Sequence, residues 1–341
     1  MQLKKRHYQL LWHLDQNAAM GLSDLAHRLG VSVQAVRYSI AQLEEAGIIK
    51  GFYAVVDFAA LGLLQYRTHL RLREFSTTRQ EEIIQLFCGI DSVFWVGIYL
   101  GEWDLQVSFL AENFIHLSWV LRSVQNEVLS ACSRQTQSQT VYTYHFNRDY
   151  LVGVRRKIPT VNIHAPQSVG LEPDLLDLRL LRELAQNCRR SFSSLGEQFD
   201  TNPSTIRSRV RNLEKKGILA RYRVNIDLGP LAIQRYKLKI FLENCTLEQE
   251  QEIYRYSTAH MEVVSMSQLL GEWQLDIDLE VTDRKQFLNF VQGLREKFSK
   301  VIRGLEVLEG LYCHKINYFP FKTWKGNSLV DSPPEKLLAT G

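Results

Sequence analysis

Apolar residues recur every three or four positions through the first fifty residues and then every second position for most of the next hundred. In "KRHYQLLWHL" that spacing puts Leu10, Leu11 and Leu14 on one helix face. "SDLAHRLG" predicts a second helix capped by Ser23, and "SVQAVRYSIAQLEEAG" a third, capped by Ser32 and stopped at Gly47, a residue free to turn left-handed. The period then falls to two. "QYRTHLRLRE", "SVFWVGIYL", "DLQVSFLA" and "RQTQSQTVYTYHF" predict strands, and "TRQEEIIQLFCG" and "NFIHLSWVLRSVQNEV" predict the helices between them.

The whole pattern then returns. "LGEWDLQVSF" starts at Leu100 and "LGEWQLDIDL" at Leu270, an offset of 170 residues. Without gaps the same offset matches Leu11 to Leu181, Arg37 to Arg207, Leu43 to Leu213, Gly47 to Gly217, Asp57 to Asp227, Trp103 to Trp273 and Tyr142 to Tyr312. One fixed offset held over this length is the mark of a duplicated unit. In the second copy "SSLGEQFD" predicts a helix capped by Ser193. "NPSTIRSRVRNLEKKG" has Asn202 as cap, Pro203 at the first helical position and Gly217 as stop.

Charge separates each copy into two parts. Residues 4–53 carry six Lys/Arg against four Asp/Glu and residues 174–223 carry eleven against six, whereas 54–150 carry seven against ten and 224–318 eleven against fourteen. Basic and acidic modules therefore alternate beneath an overall charge of only +4, and the basic modules are candidates for a polyanionic partner. Three short helices with a tight turn before the last form a helix-turn-helix, whose final helix enters the major groove of double-stranded DNA. Ile206, Val210 and Leu213 make the buried stripe of that helix in copy two, leaving Ser204, Thr205, Arg207, Ser208 and Arg211 to face DNA. In copy one the stripe is Val36, Ile40 and Leu43, and Gln34, Arg37 and Tyr38 are the DNA-binding candidates. An arginine there donates to guanine O6 and N7 or pairs with phosphate.

Beyond each third helix, Leu43, Glu44, Gly47, Ile48, Phe52, Asp57 and Gly62, then Leu213, Glu214, Gly217, Ile218, Tyr222 and Asp227, follow in an order that resembles the Lrp/AsnC (leucine-responsive/asparagine-activator) family of transcription regulators. The acidic modules are similar to that family's sensing domain. Their strand-helix-strand-strand-helix-strand order is a ferredoxin-like βαββαβ fold, so the chain reads as α+β, two winged-type helix-turn-helix modules each followed by a ferredoxin-like domain. The resemblance implies a turn of the form glycine, any residue, aromatic, aspartate near an effector cleft. Gly101 and Asp104 match it, and Gly271 matches with Gln274 in place of the aspartate. Such a cleft implies an amino-acid effector, its ammonium facing the carboxylate and its carboxylate facing turn N–H groups. The resemblance also implies paired sensing domains, formed either within the chain or by exchange in a homodimer.

The resulting boundaries are a helix-turn-helix at 1–53, a sensing domain at 54–146, a linker at 147–173, a second helix-turn-helix at 174–223, a second sensing domain at 224–318 and a frayed tail at 319–341. The basic triplet 155–157 reads as part of a solvated linker. No run of apolar residues reaches membrane-spanning length, so a cytoplasmic protein is expected. The five cysteines contain no C-x-x-C, and no cofactor or metal site is expected. Proteins of this same plan act as sirohaem decarboxylases, which need histidines and arginines around a tetrapyrrole. None of His69, His116, His145, His260 and His314 is matched at the 170 offset, so the chain is read as a regulator and not an enzyme.

Overall fold

The computed structural model describes residues 3–74, 76–154 and 173–321, together with the backbone of 162–164. Copy one opens with α1 (Lys5–Gln16), α2 (Leu22–Leu29), α3 (Val33–Glu45) and β1 (Ile49–Val56). Its sensing domain is β2 (Leu64–Leu72), α4 (Thr77–Gly89), β3 (Val93–Leu100), β4 (Leu105–Ala111), α5 (Phe114–Ser123), α6 (Gln125–Ala131) and β5 (Cys132–His145). A short β6 (Asn162–His164) follows. Copy two repeats the plan with α7 (Leu175–Gln186), α8 (Phe192–Gln198), α9 (Pro203–Lys215), β7 (Leu219–Ile226), β8 (Gln234–Leu242), α10 (Leu247–Ala259), β9 (Val263–Leu270), β10 (Leu275–Val281), α11 (Arg284–Phe298) and β11 (Ile302–Ile316). This is the expected α+β architecture, and several details differ from the sequence reading. The cap positions of α2 and α8 are Gly21 and Ser191, two residues ahead of Ser23 and Ser193, which lie inside the helices. The single helix expected over 113–128 is split at Val124, where the Ser123 hydroxyl donates back to the Val120 carbonyl at 2.7 Å.

The two helix-turn-helix modules share one core. β1 and β7 pair antiparallel, so the expected boundaries at 53 and 223 each fall inside a strand. Matched hydrogen bonds stitch the modules together: Ala18 N–H donates to the Tyr222 carbonyl and Cys188 N–H to the Phe52 carbonyl, both at 3.0 Å. Asp57 N–H donates to Ile218 and Asp227 N–H to Ile48 in the same reciprocal manner. The apolar stripes of α3 and α9 bury into this joint core, each large side chain contributing roughly 1.5–3 kcal/mol.

Each sensing domain has the strand order of its fold, β5-β2-β4-β3 in copy one and β11-β8-β10-β9 in copy two. β5 and β11 are long enough to serve both copies. β5 pairs first with β2 and then with β9, and β11 first with β8 and then with β3. Eight strands therefore close a ring across the two copies, which leaves no open edge between them. Two apolar cores lie outside the ring, beneath the helices of each copy. Two expectations about irregular segments are corrected. Residues 147–154 do not form a solvated linker, because Asp149 and Leu151 are buried and Arg148 bridges the modules to Asp15 and Glu280, and the tail begins packed, with Phe319 and Phe321 buried. The basic triplet 155–157 lies outside the described residues.

Candidate functional site

Both DNA-reading candidates are presented as the patterning predicts. On α9, Ser204, Thr205, Arg207, Ser208 and Arg211 are exposed above buried Ile206, Val210 and Leu213, and on α3, Gln34, Arg37 and Tyr38 are exposed above Val36, Ile40 and Leu43. Ser32 Oγ accepts from Ala35 N–H and Asn202 Oδ1 from Ser204 N–H, which fixes where each helix begins. Arg209, between the exposed positions of α9, is occupied instead by Asp174 and Asp177 of its own module. Gly47 and Gly217 end the third helices at φ 68° and 75°.

Of the four residues expected at an effector cleft, Asp104 and Gln274 bind the backbone of their own copy, and Gly101 and Gly271 abut the opposite one. Asp104 Oδ2 accepts from the Leu72 N–H at 2.7 Å, and Gln274 Oε1 accepts from the Leu242 N–H at 2.8 Å. These are equivalent bonds at the 170 offset, so carboxylate and amide do one structural task. A Cβ on Gly101 would meet the Val307 carbonyl oxygen at 2.8 Å, and one on Gly271 would meet Ser138 Cβ at 2.7 Å. Each glycine admits the long strand of the opposite copy, and at Gly101 the backbone itself sits at φ 138°. Arg134 then links the two turns, reaching Glu102 at 2.9 Å and Glu272 at 2.6 Å. The reading of Gly101, Asp104, Gly271 and Gln274 as an effector cleft is therefore corrected, because β11 and β5 fill the space at the two glycines and the Asp104 and Gln274 oxygens are engaged by backbone N–H groups.

The sequence reading missed a polar interior. Along β8 and β10 the cross-strand partners are Arg235 with Glu280, Lys237 with Asp278 and Lys239 with Asp276. These side chains point into the strand ring, where alternation alone would have assigned them to solvent. Arg67 of copy one reaches Asp276 at 2.7 Å and Ser267 at 2.8 Å. At one end Trp103 and Trp273 plug the ring, with His69 edge-on to the Trp273 ring and Lys239 Nζ 3.6 Å from its centroid. Lys239 is fully buried and its Nζ has no hydrogen-bond partner. Burial lowers its pKa to about 6, with neighbouring Lys237 adding to the effect.

At the other end, against the helix-turn-helix pair, lies a cavity of about 170 Å³. Its cationic wall residues are Arg67, Arg148, Arg223, Arg235 and Lys237, facing the carboxylates of Asp278 and Glu280. Behind them Asp15 of α1 takes Arg148 at 2.6 Å and Arg223 at 2.8 Å. Burial works against the Asp15 and Glu280 carboxylates. Arg223 and Arg148 at the first, and Arg148 and Arg235 at the second, outweigh it and hold both pKa values below the usual range. His145, also in the wall, is pushed down to about 3 by burial and by Arg223 and Arg221, so it is neutral. The signal for this site was present in the sequence as basic residues at every second position of one strand and acidic residues at every second position of the next.

Two helix-turn-helix modules on paired ferredoxin-like domains fix the architecture, and comparisons narrow the class. Residues 174–214 match the AsnC-type helix-turn-helix domain and residues 3–50 a winged helix-turn-helix DNA-binding domain. An HTH-type transcriptional regulator of Pyrococcus horikoshii is 32% identical over 112 residues, which span 33% of this chain and 75% of that protein. One from Mycobacterium tuberculosis is 25% identical over 142 residues, 41% of this chain and 92% of its own length. The chain belongs to the Lrp/AsnC family of transcription regulators.

A third likeness overturns one expectation. The crystal structure of the siroheme decarboxylase NirDL superposes with a TM-score of 0.58 at 13% identity, covering 92% of this chain and 94% of that one. That is a likeness of fold, and it removes the ground for reading this architecture as non-enzymatic. Unmatched histidines do not exclude a shared site, for a physical reason. A site on the pseudo-twofold axis takes different residues from each copy, so its members need not repeat: the 170-offset partner of His69 is Lys239 and that of His145 is Lys315.

Proposed function

We propose that the chain is a sequence-specific regulator that reads double-stranded DNA with α3 and α9 together and is controlled by a small metabolite such as an amino acid. The observation that carries this reading is the exposed polar set on α9 above a buried stripe, fixed relative to α3 by β1–β7 pairing. Arg207 and Arg211 are assigned the base or phosphate contacts with most weight, with Ser204, Thr205 and Ser208 beside them. Gln34, Arg37 and Tyr38 make the lesser set. Control is supported by Arg148, which ties Asp15 in α1 to Glu280 and so joins the strand ring directly to a helix-turn-helix module. Selection of bound sequences from random DNA tests the proposal. Enrichment of a paired motif with one fixed spacing is expected, and recovery of unenriched sequence would reject it.

A second reading, decarboxylation of sirohaem, is favoured by the cationic cavity, since carboxylates are what such a wall attracts. The cavity is below the ~300–1,000 Å³ of ordinary ligand pockets, so a tetrapyrrole requires it to widen. Incubation with sirohaem decides this reading, through a shifted absorption spectrum and loss of carbon dioxide mass from the substrate.

A further inference from the structure

The duplication supplies an internal control for the packing of each sensing domain, and the two domains differ beneath the last helix. In copy two α11 is continuous, and Phe287, Phe290 and Phe298 fill the space between it and the sheet, with Phe287 stacked on Tyr236 at 4.1 Å. The matched residues of copy one are Leu117, Val120 and Val128, on a helix broken into α5 and α6. The missing ring volume corresponds to a cavity of about 300 Å³.

Its wall is more than a packing deficit. Thr68 lines the cavity, is 2% exposed and leaves its Oγ1 without a hydrogen-bond partner. The matched residue in copy two is Leu238, which belongs to the apolar core there. Gln137, directly across from Thr68 in the β2–β5 register, and Gln135 also line the cavity, against Val307 and Leu305 in copy two. Arg122 is the charged side chain among the lining residues and is exposed at the rim, where copy two has Gln292. A buried polar group such as the Thr68 hydroxyl is costly unless something meets it, whereas Gln135 and Gln137, like Arg122, are exposed at the mouth. An unpartnered hydroxyl thus lies inside an apolar hollow whose mouth carries two amides and a guanidinium.

We propose that this cavity is a binding site for a small apolar carboxylic acid, whose chain fills the volume left by the absent phenylalanines and whose carboxylate lies between Arg122 and the amides of Gln135 and Gln137. The volume is at the low end of ligand pockets, roughly 300–1,000 Å³, which suits an acid of about eight to ten carbon atoms. The guanidinium selects for the ionised carboxylate over a neutral head group. The site lies wholly within copy one, apart from the polar interior of the ring and from the DNA-reading helices, so it stands or falls independently of the function proposed above.

Octanoate and octanol serve as probes on the full chain, read by calorimetric titration and thermal shift. Octanoate is expected to bind with one site per chain and octanol at least about tenfold more weakly. The variants each install the residue that copy two already carries. Leu117→Phe with Val128→Phe is expected to abolish octanoate binding and to raise the melting temperature of the ligand-free protein, because the rings fill an existing hollow. Arg122→Gln is expected to weaken octanoate about tenfold and leave octanol unchanged. Thr68→Leu, a smaller change, tests the site if the double variant does not fold, and is expected to weaken both probes. The proposal is overturned if wild type binds neither probe, if the filled variant binds octanoate as wild type does, or if octanol binds as well as octanoate. Where the double variant does not fold, an unaltered Thr68→Leu titration overturns it as well.

Discussion

Copy one and copy two agree in the backbone contacts that assemble the fold and differ in the side chains that line the space between their sheets. The reciprocal hydrogen bonds of Ala18 and Cys188, the glycines at 101 and 271, and the acceptors at 104 and 274 repeat the same geometry in both copies. By contrast, the inward strand faces have parted company. Copy two lines the ring with Arg235, Lys237 and Lys239 against Asp276, Asp278 and Glu280, where copy one has Gln65, Arg67 and His69 against Gln106, Ser108 and Leu110. The shared backbone therefore does not need those charges. What they set is the chemistry of the space between the sheets, where one copy neutralises itself and the other lends it Arg67.

The sharpest way to break that comparison is to truncate matched positions in turn. Asp276 is fully buried and holds Arg67 at 2.7 Å and the Trp273 indole N–H at 2.8 Å. Its counterpart Gln106 meets only neutral groups, His69 at 3.2 Å and Ser108 at 3.3 Å. Asp276→Ala is expected to cost roughly 3–5 kcal/mol by leaving a buried guanidinium short of its partner, and Gln106→Ala about 1–3 kcal/mol. Urea denaturation of both variants measures the difference, and equal losses would mean that the charges are incidental.

Lys239 and His69 form the next matched pair. Lys239 is the residue whose charge the ring accommodates worst: its folded pKa of about 6 lies below the ordinary 10.5. The unfolded chain therefore binds the extra proton between those values, and stability contributed at this position rises as pH increases from about 6 toward 10.5. Lys239→Met is expected to gain roughly 1–3 kcal/mol at pH 7 and to remove that rise. Melting temperatures of wild type and variant across pH 6 to 10 test this, and parallel curves would show that the two tryptophan faces hold the ammonium charged.

At the reading heads the comparison concerns binding. Copy two exposes Arg207 and Arg211 where copy one has Arg37 and Ala41. Arg207→Ala is expected to lose about 1–3 kcal/mol of specific affinity if it reads a base edge, and Arg37→Ala less. A gel-shift titration on the selected sequence, repeated at two salt concentrations, separates base contacts from phosphate contacts, because only the latter flatten the salt dependence. Equal losses would show that both copies read alike.

The sequence alone was enough to find the duplication, because leucines, glycines and tryptophans at one offset survive divergence when they pack on themselves. It also located the three-helix modules and their exposed faces, since Ile206, Val210 and Leu213 keep helical spacing whatever they pack against. Closure of the ring was not legible. Whether a fourteen-residue strand such as β5 pairs with one neighbour or changes partner midway depends on where the other copy lies. For the same reason Lys237 and Asp278, which alternate as a solvent-facing pair would, turned out to be interior. Residues 147–173 looked like linker because of their prolines and basic triplet, yet Arg148 and Asp149 at their start bond to partners more than a hundred residues away.

The smallest expected effect belongs to the turns that carry the repeated Gly-Glu-Trp. Asp104 and Gln274 place a side-chain oxygen on the same backbone N–H, of Leu72 in one copy and Leu242 in the other. An amide oxygen suffices in copy two, so Asp104→Asn, which keeps an acceptor of the same reach, is expected to cost under about 1 kcal/mol, with the weakened 3.4 Å contact to Arg71 as the main loss. Asp104→Leu removes the acceptor and leaves the Leu72 N–H unmet in a buried position, which costs about 1–3 kcal/mol. Chemical denaturation of the two variants separates the roles. A large loss in Asp104→Asn would show that copy one, unlike copy two, needs the charge at this turn and not merely the oxygen.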